Sequence, residues 1–220
     1  MAQDNRPRSK NQNQEDENVS WVTWFCSLKG NEFLCEVEES FIADNFNLTG
    51  LSSCVPYYKY ALQTIKDVDS PELDQLTEEQ EEVVESAAEM LYGLIHARYI
   101  ITTPGMQLMT TKYQNGEFGR CPRVFCEKQP CLPVGLSDNV RQDTVKLFCP
   151  RCEKLYVPKL LRHASMDGAY FGTTFAHFLL HSQPELQPPL PTHRYVPKIF
   201  GFKIHVPEKD SEKPTIKNLK

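Results

Sequence analysis

The chain of 220 residues has a formal net charge of −5, with 40% hydrophobic and 10% aromatic residues, which is enough apolar material for one large domain or two small ones. The acidic balance disfavours nucleic acid as a general partner, and no apolar run approaches the ~20 residues of a membrane span. The first residues also lack the apolar core of a signal peptide, so we expect no export, and the eight cysteines are better explained as zinc ligands and free thiols than as disulfides.

An all-helical domain is predicted for residues 19–116, after a polar segment at 1–18 that is predicted to be a disordered tail. It begins with a short helix over residues 21–26, in which two tryptophans are interpreted as packing anchors. Apolar residues at helical spacing predict an amphipathic helix over 33–46, and a further helix should follow Pro56.

An acidic loop is predicted over residues 67–82, because nine carboxylates and no basic residue occur between positions 67 and 85. Two interpretations remain open. The segment is either a solvated loop that leads into the first turn of a helix, or a docking patch for basic substrates or polyamines. The residues named for such a patch are Asp67, Asp69, Glu72 and Asp74.

The longest helix is predicted to begin with a capping box, in which Thr77 is the N-cap and Gln80 reaches back to it. The helical period of apolar residues continues to Thr102, and the pair 104–105 (Pro-Gly) is predicted to end the helix. A shorter helix is expected over 106–113.

Two short cysteine loops predict a metal site. Cys121 and Cys126 form the first loop, and Cys149 and Cys152 form the second after 22 intervening residues. Paired thiolates at this spacing turn toward one centre, and two pairs complete the tetrahedral sulfur site that Zn²⁺ prefers in structural positions. The alternatives are two disulfides or neighbouring buried thiols. Four cysteine ligands leave no open coordination position, so we expect one structural zinc per chain and no chemistry at the metal.

The remaining cysteines are predicted to be free thiols. Cys26, Cys35 and Cys54 are expected to be buried and reduced. Cys131 is interpreted as an ordinary thiol, with a metal or redox role as the alternative.

A zinc-ribbon domain is predicted for residues 117–182. Residues 145–148 should form the strand that leads into the second cysteine loop, and 168–172 a strand or turn. A short helix is expected over 174–181, with Phe175, Phe178 and Leu179 on its buried side. The histidines His96, His177 and His181 are interpreted as core or helix-surface residues, although the last two have a spacing that would suit a metal.

The C-terminal part is predicted to be a proline-rich connector and a hairpin over 183–207, followed by a disordered tail at 208–220. Phe200 and Phe202 are candidates for an apolar contact with another subunit, because such a hairpin has little of its own domain to pack on. A last strand packed on the parent domain is the alternative. The predicted fold class is therefore α+β: a helical domain, a zinc ribbon and an extended C-terminal hairpin.

Several segments together make the chain resemble the regulatory beta subunit family of the protein kinase casein kinase II. The resemblance runs from about Ser20 to His205, in the family's order. The matching segments are residues 21–26 (WVTWFC), 30–33 (GNEF), 46–51 (FNLTGL), 87–99 (AAEMLYGLIHARY), 119–124 (GRCPRV), 135–138 (GLSD), 167–173 (DGAYFGT) and 201–205 (GFKIH).

This resemblance implies a non-catalytic subunit that pairs through its zinc ribbon into a homodimer, or a mixed dimer with another beta subunit, and binds two catalytic alpha subunits. It implies that the cysteines at 121, 126, 149 and 152 bind zinc, and that Phe202 enters an apolar pocket of the catalytic subunit. Ile204 and His205 match the rest of that contact strand, whereas Phe200 stands where the family has tyrosine. The implied location is the cytoplasm and nucleus.

The departures from the family indicate a diverged paralogue, and a tissue-restricted form is our hypothesis. The N-terminal serine cluster of the family is missing, and uncharged residues interrupt the acidic segment at 67–74. Two other functions remain open: a zinc-dependent dimeric adaptor that has lost kinase binding, or a nucleic-acid binder that uses basic residues near the cysteine loops. The chain lacks the glycine-rich loop and catalytic motifs of a kinase.

Overall fold

The structure is a computed structural model that describes residues 19–191, 196 and 198–204, so the tails predicted at 1–18 and 208–220 lie outside the described residues. Within that part the helices are α1 Trp21–Ser27, α2 Glu39–Ala43, α3 Tyr58–Ile65, α4 Glu78–Tyr99, α5 Thr103–Asn115, α6 Leu161–Ala164 and α7 Phe175–Ser182. The strands are β1 Leu132–Val134, β2 Lys146–Cys149, β3 Lys154–Tyr156, β4 Lys198–Ile199 and β5 Phe202–Lys203. This confirms the predicted α+β class with a helical N-terminal region.

Helix α4 is the longest element and the centre of the helical part, with α3 packed along it. Its predicted capping box is present: the Gln80 N–H donates to Thr77 Oγ1 at 3.4 Å, and the Thr77 N–H donates to Gln80 Oε1 at 3.0 Å. The first turn of α4 carries three glutamates, which the helix dipole favours. Trp21 of α1 is fully buried beside it, and its indole N–H donates to Glu85 at 2.8 Å.

The prediction of a helix over 33–46 is wrong for most of that range. Only α2 is helical there, and residues 32–38 are extended or form a turn. Side chains of α4 satisfy the backbone of this segment instead. The Cys35 N–H donates to His96 Nε2 at 3.2 Å, and the Val37 N–H donates to the hydroxyl of Tyr92 at 3.1 Å. The same hydroxyl donates to the carbonyl of Cys35 at 2.8 Å, so the segment lies against α4 without forming a helix of its own.

His96 is a buried core histidine, as predicted. Its Nδ1 lies 2.7 Å from the carbonyl oxygen of Tyr170. Burial lowers the pKa of His96 to about 4, so the ring is neutral at ordinary pH.

The pair Pro104-Gly105 begins a helix instead of ending one. Helix α5 starts at Thr103, so the proline lies in its first turn, where its missing N–H has no intrahelical partner to lose. The N-cap Thr102 accepts a hydrogen bond from the Gly105 N–H at 3.4 Å. A Cβ at Gly105 would overlap the carbonyl of Tyr99, so the sharp corner between α4 and α5 requires glycine.

Strands β1, β2 and β3 form an antiparallel sheet in that order, with Leu132 opposite Phe148 and Phe148 opposite Leu155. The predicted strand into the second cysteine loop is therefore confirmed as β2. The predicted strand or turn at 168–172 is a 3₁₀ turn, Gly168–Tyr170, and it packs on α4 so closely that a Cβ at Gly93 would overlap the ring of Tyr170. The helical and ribbon residues consequently share one continuous buried core.

Helix α7 confirms the predicted helix, but its buried side was assigned incorrectly for one residue. Phe175 and Leu179 are fully buried, whereas Phe178 is 44% exposed. Residues 175, 176, 179 and 180 form one stripe at 100° per residue, and position 178 falls outside it. In the described part of the chain, no helix has the length and apolar character needed to cross a membrane.

Candidate metal centre and partner-binding surfaces

The structure brings together the sulfur atoms of Cys121, Cys126, Cys149 and Cys152. All four Sγ atoms lie within 4.8 Å of one another, and those of Cys121 and Cys152 are 3.8 Å apart. Four sulfurs at the corners of a tetrahedron around Zn²⁺, with Zn–S bonds of about 2.3 Å, would be separated by about 3.8 Å. All eight cysteines of the chain are free thiols, so the disulfide alternative finds no support.

The two cysteine loops have the same local construction. Each ends with a residue in the left-handed region directly after its second cysteine: Glu127 with φ 52° and Glu153 with φ 53°. In the second loop, the backbone N–H groups of Arg151 and Cys152 point to the sulfur of Cys149. Such turns allow two sulfurs from one short loop to face a common centre while backbone donors stabilise their negative charge.

An ion pair joins the two loops. Arg151 donates from Nη1 to Glu127 Oε2 at 2.9 Å and reaches the carbonyl of Cys126 at 3.4 Å. Lys146, another basic residue near the loops, is paired with Asp143 at 2.6 Å. These pairs reduce the basic surface that a nucleic-acid binder would need.

The electrostatics of the four thiols favour a bound cation. A hydrogen bond with Cys131, followed by those with backbone N–H groups, lowers the pKa of Cys149 to about 4 although burial opposes this. Burial raises the pKa of Cys121 and of Cys126. Sulfurs this close cannot all ionise without a compensating charge. Zn²⁺ fits this donor set, because it prefers thiolates in tetrahedral geometry, and four protein ligands make the site structural.

The other cysteines agree only partly with the prediction of buried thiols. Cys35 is buried and Cys26 is half-buried, and burial raises their pKa values to about 12 and about 11. Cys54 is exposed, which corrects the prediction for that residue. Its place after the one-turn 3₁₀ helix Leu51–Ser53 leaves the sulfur directed at the Gly50 carbonyl and at solvent. Cys131 is buried beside Cys149 and outside the group of four.

Within the described part of the chain, the histidines of α7 do not lie in a group of metal-ligating side chains. Both His177 and His181 are exposed, and the ring of His177 lies edge-on to Phe148 with a centroid distance of 4.8 Å. They are therefore surface residues, and His177 packs on the outer side of the ribbon sheet.

The C-terminal hairpin consists of β4 and β5, with Ile199 opposite Phe202. Its two-residue turn, Phe200-Gly201, has φ values of 49° and 87°, the left-handed pair that suits the twist of a tight hairpin. Phe200 is 96% exposed and Phe202 is 79% exposed. Within the described residues β4 and β5 form a separate two-stranded sheet, and His205, the last residue predicted for this contact, lies outside them.

The four carboxylates of the predicted acidic patch are exposed but differ in what they bind. Asp67 accepts the backbone N–H of Trp21 at 2.8 Å, and Glu72 is paired with Lys59 at 2.7 Å. Asp69 and Asp74 have no ion pair in the part of the chain that the structure describes. Two carboxylates of the patch are thus already engaged within the chain.

A set of exposed apolar residues around the ribbon was not identified as functional from the sequence. Exposed apolar residues are common on protein surfaces, and those near the cysteine loops are candidates for contact with a partner. In the sequence, most of them were visible only as apolar residues in the first cysteine loop and in the segment after β3. These residues are Val124, Phe125, Val157, Leu161 and Phe178.

Comparison with known proteins gives a consistent result. The sequence model of the family described as casein kinase II regulatory subunit matches residues 20–203. The chain is 60% identical over 191 residues to the putative casein kinase II subunit beta-4 of Arabidopsis thaliana, covering 87% of this chain and 68% of that protein. It is 56% identical to the casein kinase II subunit beta of Dictyostelium discoideum over 191 residues, 87% of this chain and 70% of that protein. The subunit beta of Schizosaccharomyces pombe is 56% identical over 194 residues, 88% of this chain and 83% of that protein.

Proposed function

The chain belongs to the casein kinase II regulatory subunit family, and on that premise we propose that it is the scaffold of a kinase holoenzyme. It forms a zinc-dependent dimer that binds two catalytic alpha subunits, stabilises them, and modulates their activity and substrate choice. As a regulatory subunit of this family it is non-catalytic.

The zinc ribbon is the proposed dimerisation element. Zinc held by the four clustered cysteines fixes the two loops and the sheet behind them, because metal binding in such sites is coupled to folding. The ribbon then presents its exposed apolar side chains, among them Val124, Leu161 and Phe178, to a second copy or to another beta subunit. Support for this step comes from their exposure on a domain too small to leave several such residues in water without cost.

The hairpin is the proposed contact with the catalytic subunit, and the exposure of its aromatic rings is the observation that carries this proposal. A pair of two-residue strands is not stable alone in water and gains stability when a partner covers it. Fully burying a phenylalanine side chain contributes about 1.5–3 kcal/mol, so Phe202 in a pocket would be a major part of the binding energy. Phe200 keeps the ring of the family's tyrosine but has no hydroxyl to donate a hydrogen bond.

Asp69 and Asp74 are the proposed docking point for basic substrates or polyamines. The other two patch carboxylates are engaged with Trp21 and Lys59, so the patch is weaker than its sequence indicates. Binding there depends on exposed charges and is expected to weaken with salt.

Calorimetric titration of a purified catalytic alpha subunit into the zinc-loaded protein tests this function. We expect one alpha subunit per chain. Phe202→Ala should weaken binding by about 2 kcal/mol or more, the scale of an interface hot spot. Phe46→Ala is the matched control, because this phenylalanine is also highly exposed but lies in the helical part.

Two results would contradict the proposal. Unchanged affinity in Phe202→Ala would remove the hairpin from the interface. A folded, zinc-loaded wild-type protein that binds no alpha subunit would instead be a dimeric adaptor for other proteins. Phe200→Tyr distinguishes a weakened interface from a lost one, because the added hydroxyl should strengthen binding only where a pocket for it still exists.

A further inference from the structure

The hydroxyl of Tyr156 lies against two of the four sulfurs of the metal centre. Its oxygen is 3.3 Å from Cys152 Sγ, and it also forms a hydrogen bond with the sulfur of Cys121. These two sulfurs are 3.8 Å apart and come from different cysteine loops. One hydroxyl therefore contacts both loops.

The register of the ribbon sheet places this hydroxyl. Tyr156 in β3 lies opposite Leu147 in β2, and directly opposite residues of an antiparallel pair point to the same face. Leu147 and Cys149 share that face of β2, because they are two residues apart on one strand. The tyrosine ring is thus directed to the face of the sheet that carries the sulfur of Cys149, and its length brings the hydroxyl to the neighbouring sulfurs.

Cys152 is the least covered of the four ligands. The other three are buried, whereas Cys152 is half-buried. Backbone N–H groups contact the sulfurs of Cys149 and Cys121. Cys152 has two side-chain partners, the hydroxyl of Tyr156 and the guanidinium of Arg123. The sulfur most accessible to water and to competing ligands is therefore the one that this tyrosine covers.

The direction of the hydrogen bond follows from the chemistry of the metal ligands. A cysteine that binds Zn²⁺ is a thiolate, which has no proton to donate. A phenol has an ordinary pKa of about 10 and keeps its proton at neutral pH, so the tyrosine is the donor. Four thiolates around one Zn²⁺ leave a net negative charge, and a hydrogen bond donated to a sulfur disperses part of it.

We propose that Tyr156 is a positioning residue of the metal centre. Its hydroxyl donates to the thiolates of Cys152 and Cys121, holds Cys152 in its ligand position and slows the loss of zinc. This role rests on the zinc site of the proposed function. Groups that hydrogen-bond to metal ligands typically change metal affinity about 10- to 100-fold.

Tyr156→Phe tests the proposal, because it removes only the hydroxyl. We expect the affinity for Zn²⁺, measured by competition with a chromophoric chelator, to fall about 10- to 100-fold, with faster release of zinc to the chelator. Tyr113→Phe is the matched control and should keep the wild-type affinity. Tyr113 is also a buried tyrosine, but its hydroxyl accepts from Gln129 at 2.9 Å, so this variant loses a hydrogen bond that does not involve a ligand sulfur.

Cobalt substitution separates an effect on the sulfur from a general loss of structure. Co²⁺ bound to thiolates has sulfur-to-metal charge-transfer bands in the near ultraviolet, and a hydrogen bond to the thiolate stabilises the electrons that are transferred. These bands should move to longer wavelength in Tyr156→Phe and stay in place in Tyr113→Phe. The visible bands of Co²⁺ check that the coordination remains tetrahedral in both variants.

The proposal is overturned if either quantity is unchanged in Tyr156→Phe. Reduced affinity with unchanged bands indicates a purely structural role, and shifted bands with unchanged affinity mean that the hydrogen bond does not retain the metal.

A second measurement needs no variant and decides the matter if Tyr156→Phe holds no cobalt. In wild-type protein loaded with ¹¹³Cd, NMR should show a tyrosine hydroxyl proton coupled to the metal through the hydrogen bond. Coupling to backbone amide protons alone would overturn the proposal. A folded wild-type protein without stoichiometric zinc would instead contradict the zinc site itself, so failure of the proposed function and failure of this inference are distinguishable.

Discussion

The Nε2 atom of His163 lies 2.7 Å from a carboxylate oxygen of Glu32, across 131 positions of the chain. This contact joins α6, which follows the ribbon strands, to the turn that follows α1. Arg162 approaches the second carboxylate oxygen at 3.2 Å, and the Gly30 N–H donates to the first at 2.7 Å. Glu32 therefore holds together two parts of the chain that the sequence assigns to different domains.

Replacing Glu32 by Gln should destabilise the protein by about 1 kcal/mol, the scale of a partly exposed ion pair. Burial raises the pKa of Glu32, but backbone hydrogen bonds and the one with His163 outweigh it and lower the pKa from 4.5 to about 2. A depressed folded-state pKa stabilises the protein above the unfolded value, and this contribution is lost as pH falls from 4.5 toward 2.

The measurement is the free energy of unfolding of wild type and Glu32→Gln at several pH values. The difference should shrink as the pH falls below about 5. Glu185→Gln, an exposed glutamate on another segment, is the control and should change little. A difference that does not depend on pH in this window would contradict the role of the carboxylate charge.

Cys149→Ser should remove the metal. Zinc content is expected to fall from one per chain to near zero, and the ribbon should become sensitive to limited proteolysis, because folding and metal binding are coupled. Elemental analysis and proteolysis measure the two effects. Cys54→Ser is the matched control, since Cys54 is an exposed thiol distant in sequence from the metal site. Full zinc content in Cys149→Ser would mean that the four-sulfur site is assigned incorrectly.

Tyr92→Phe should cost about 1–3 kcal/mol, because it leaves the buried Val37 N–H and Cys35 carbonyl without their partner. Denaturant unfolding of the zinc-loaded protein measures this change. Tyr57→Phe removes a hydroxyl from an exposed residue and should be nearly neutral. If both variants have wild-type stability, the hydroxyl of Tyr92 does not hold the extended segment.

Substitutions can separate the carboxylates of the acidic patch that bind a polyamine from the one that stabilises the fold. Asp69→Asn/Asp74→Asn should weaken the binding of a polyamine such as spermine, measured by calorimetry, without changing stability. Asp67→Ala should act mainly on stability, since it removes the acceptor of the Trp21 N–H. Equal loss of spermine affinity in the single and double variants would show that Asp67 also belongs to the docking point.

The sequence predicted those elements that have a strong local signal. The capping box of Thr77 and Gln80, the helical period of α4 and the spacing of the cysteine loops each depend on residues within a few positions of one another. The hairpin was also predicted, from alternating apolar residues around Gly201.

Elements decided by distant partners could not be predicted in this way. The apolar residues at 33–37 fit a helix in isolation, but Tyr92 and His96 supply their backbone hydrogen bonds from α4. A Pro-Gly pair such as that at 104–105 is compatible with a helix start as well as with a helix end. The sharp corner between α4 and α5 in the folded protein decides for the start. The groove between α1, the segment before α2 and α5 joins residues up to 91 positions apart (Ser20 to Thr111), so no local pattern contains it.

The packing of the Gly168–Tyr170 turn on α4 has a consequence for how the protein is made. The partner of His96 is the carbonyl of Tyr170, 74 residues later in the chain. At about 5–20 residues per second, a ribosome needs roughly 4–15 s to add that stretch. During this time α4 is already synthesised, but the Gly168–Tyr170 turn that covers the surface around Gly93 and His96 is not. The nascent helical region is therefore most exposed to chaperones and to wrong apolar contacts in the seconds before the ribbon emerges.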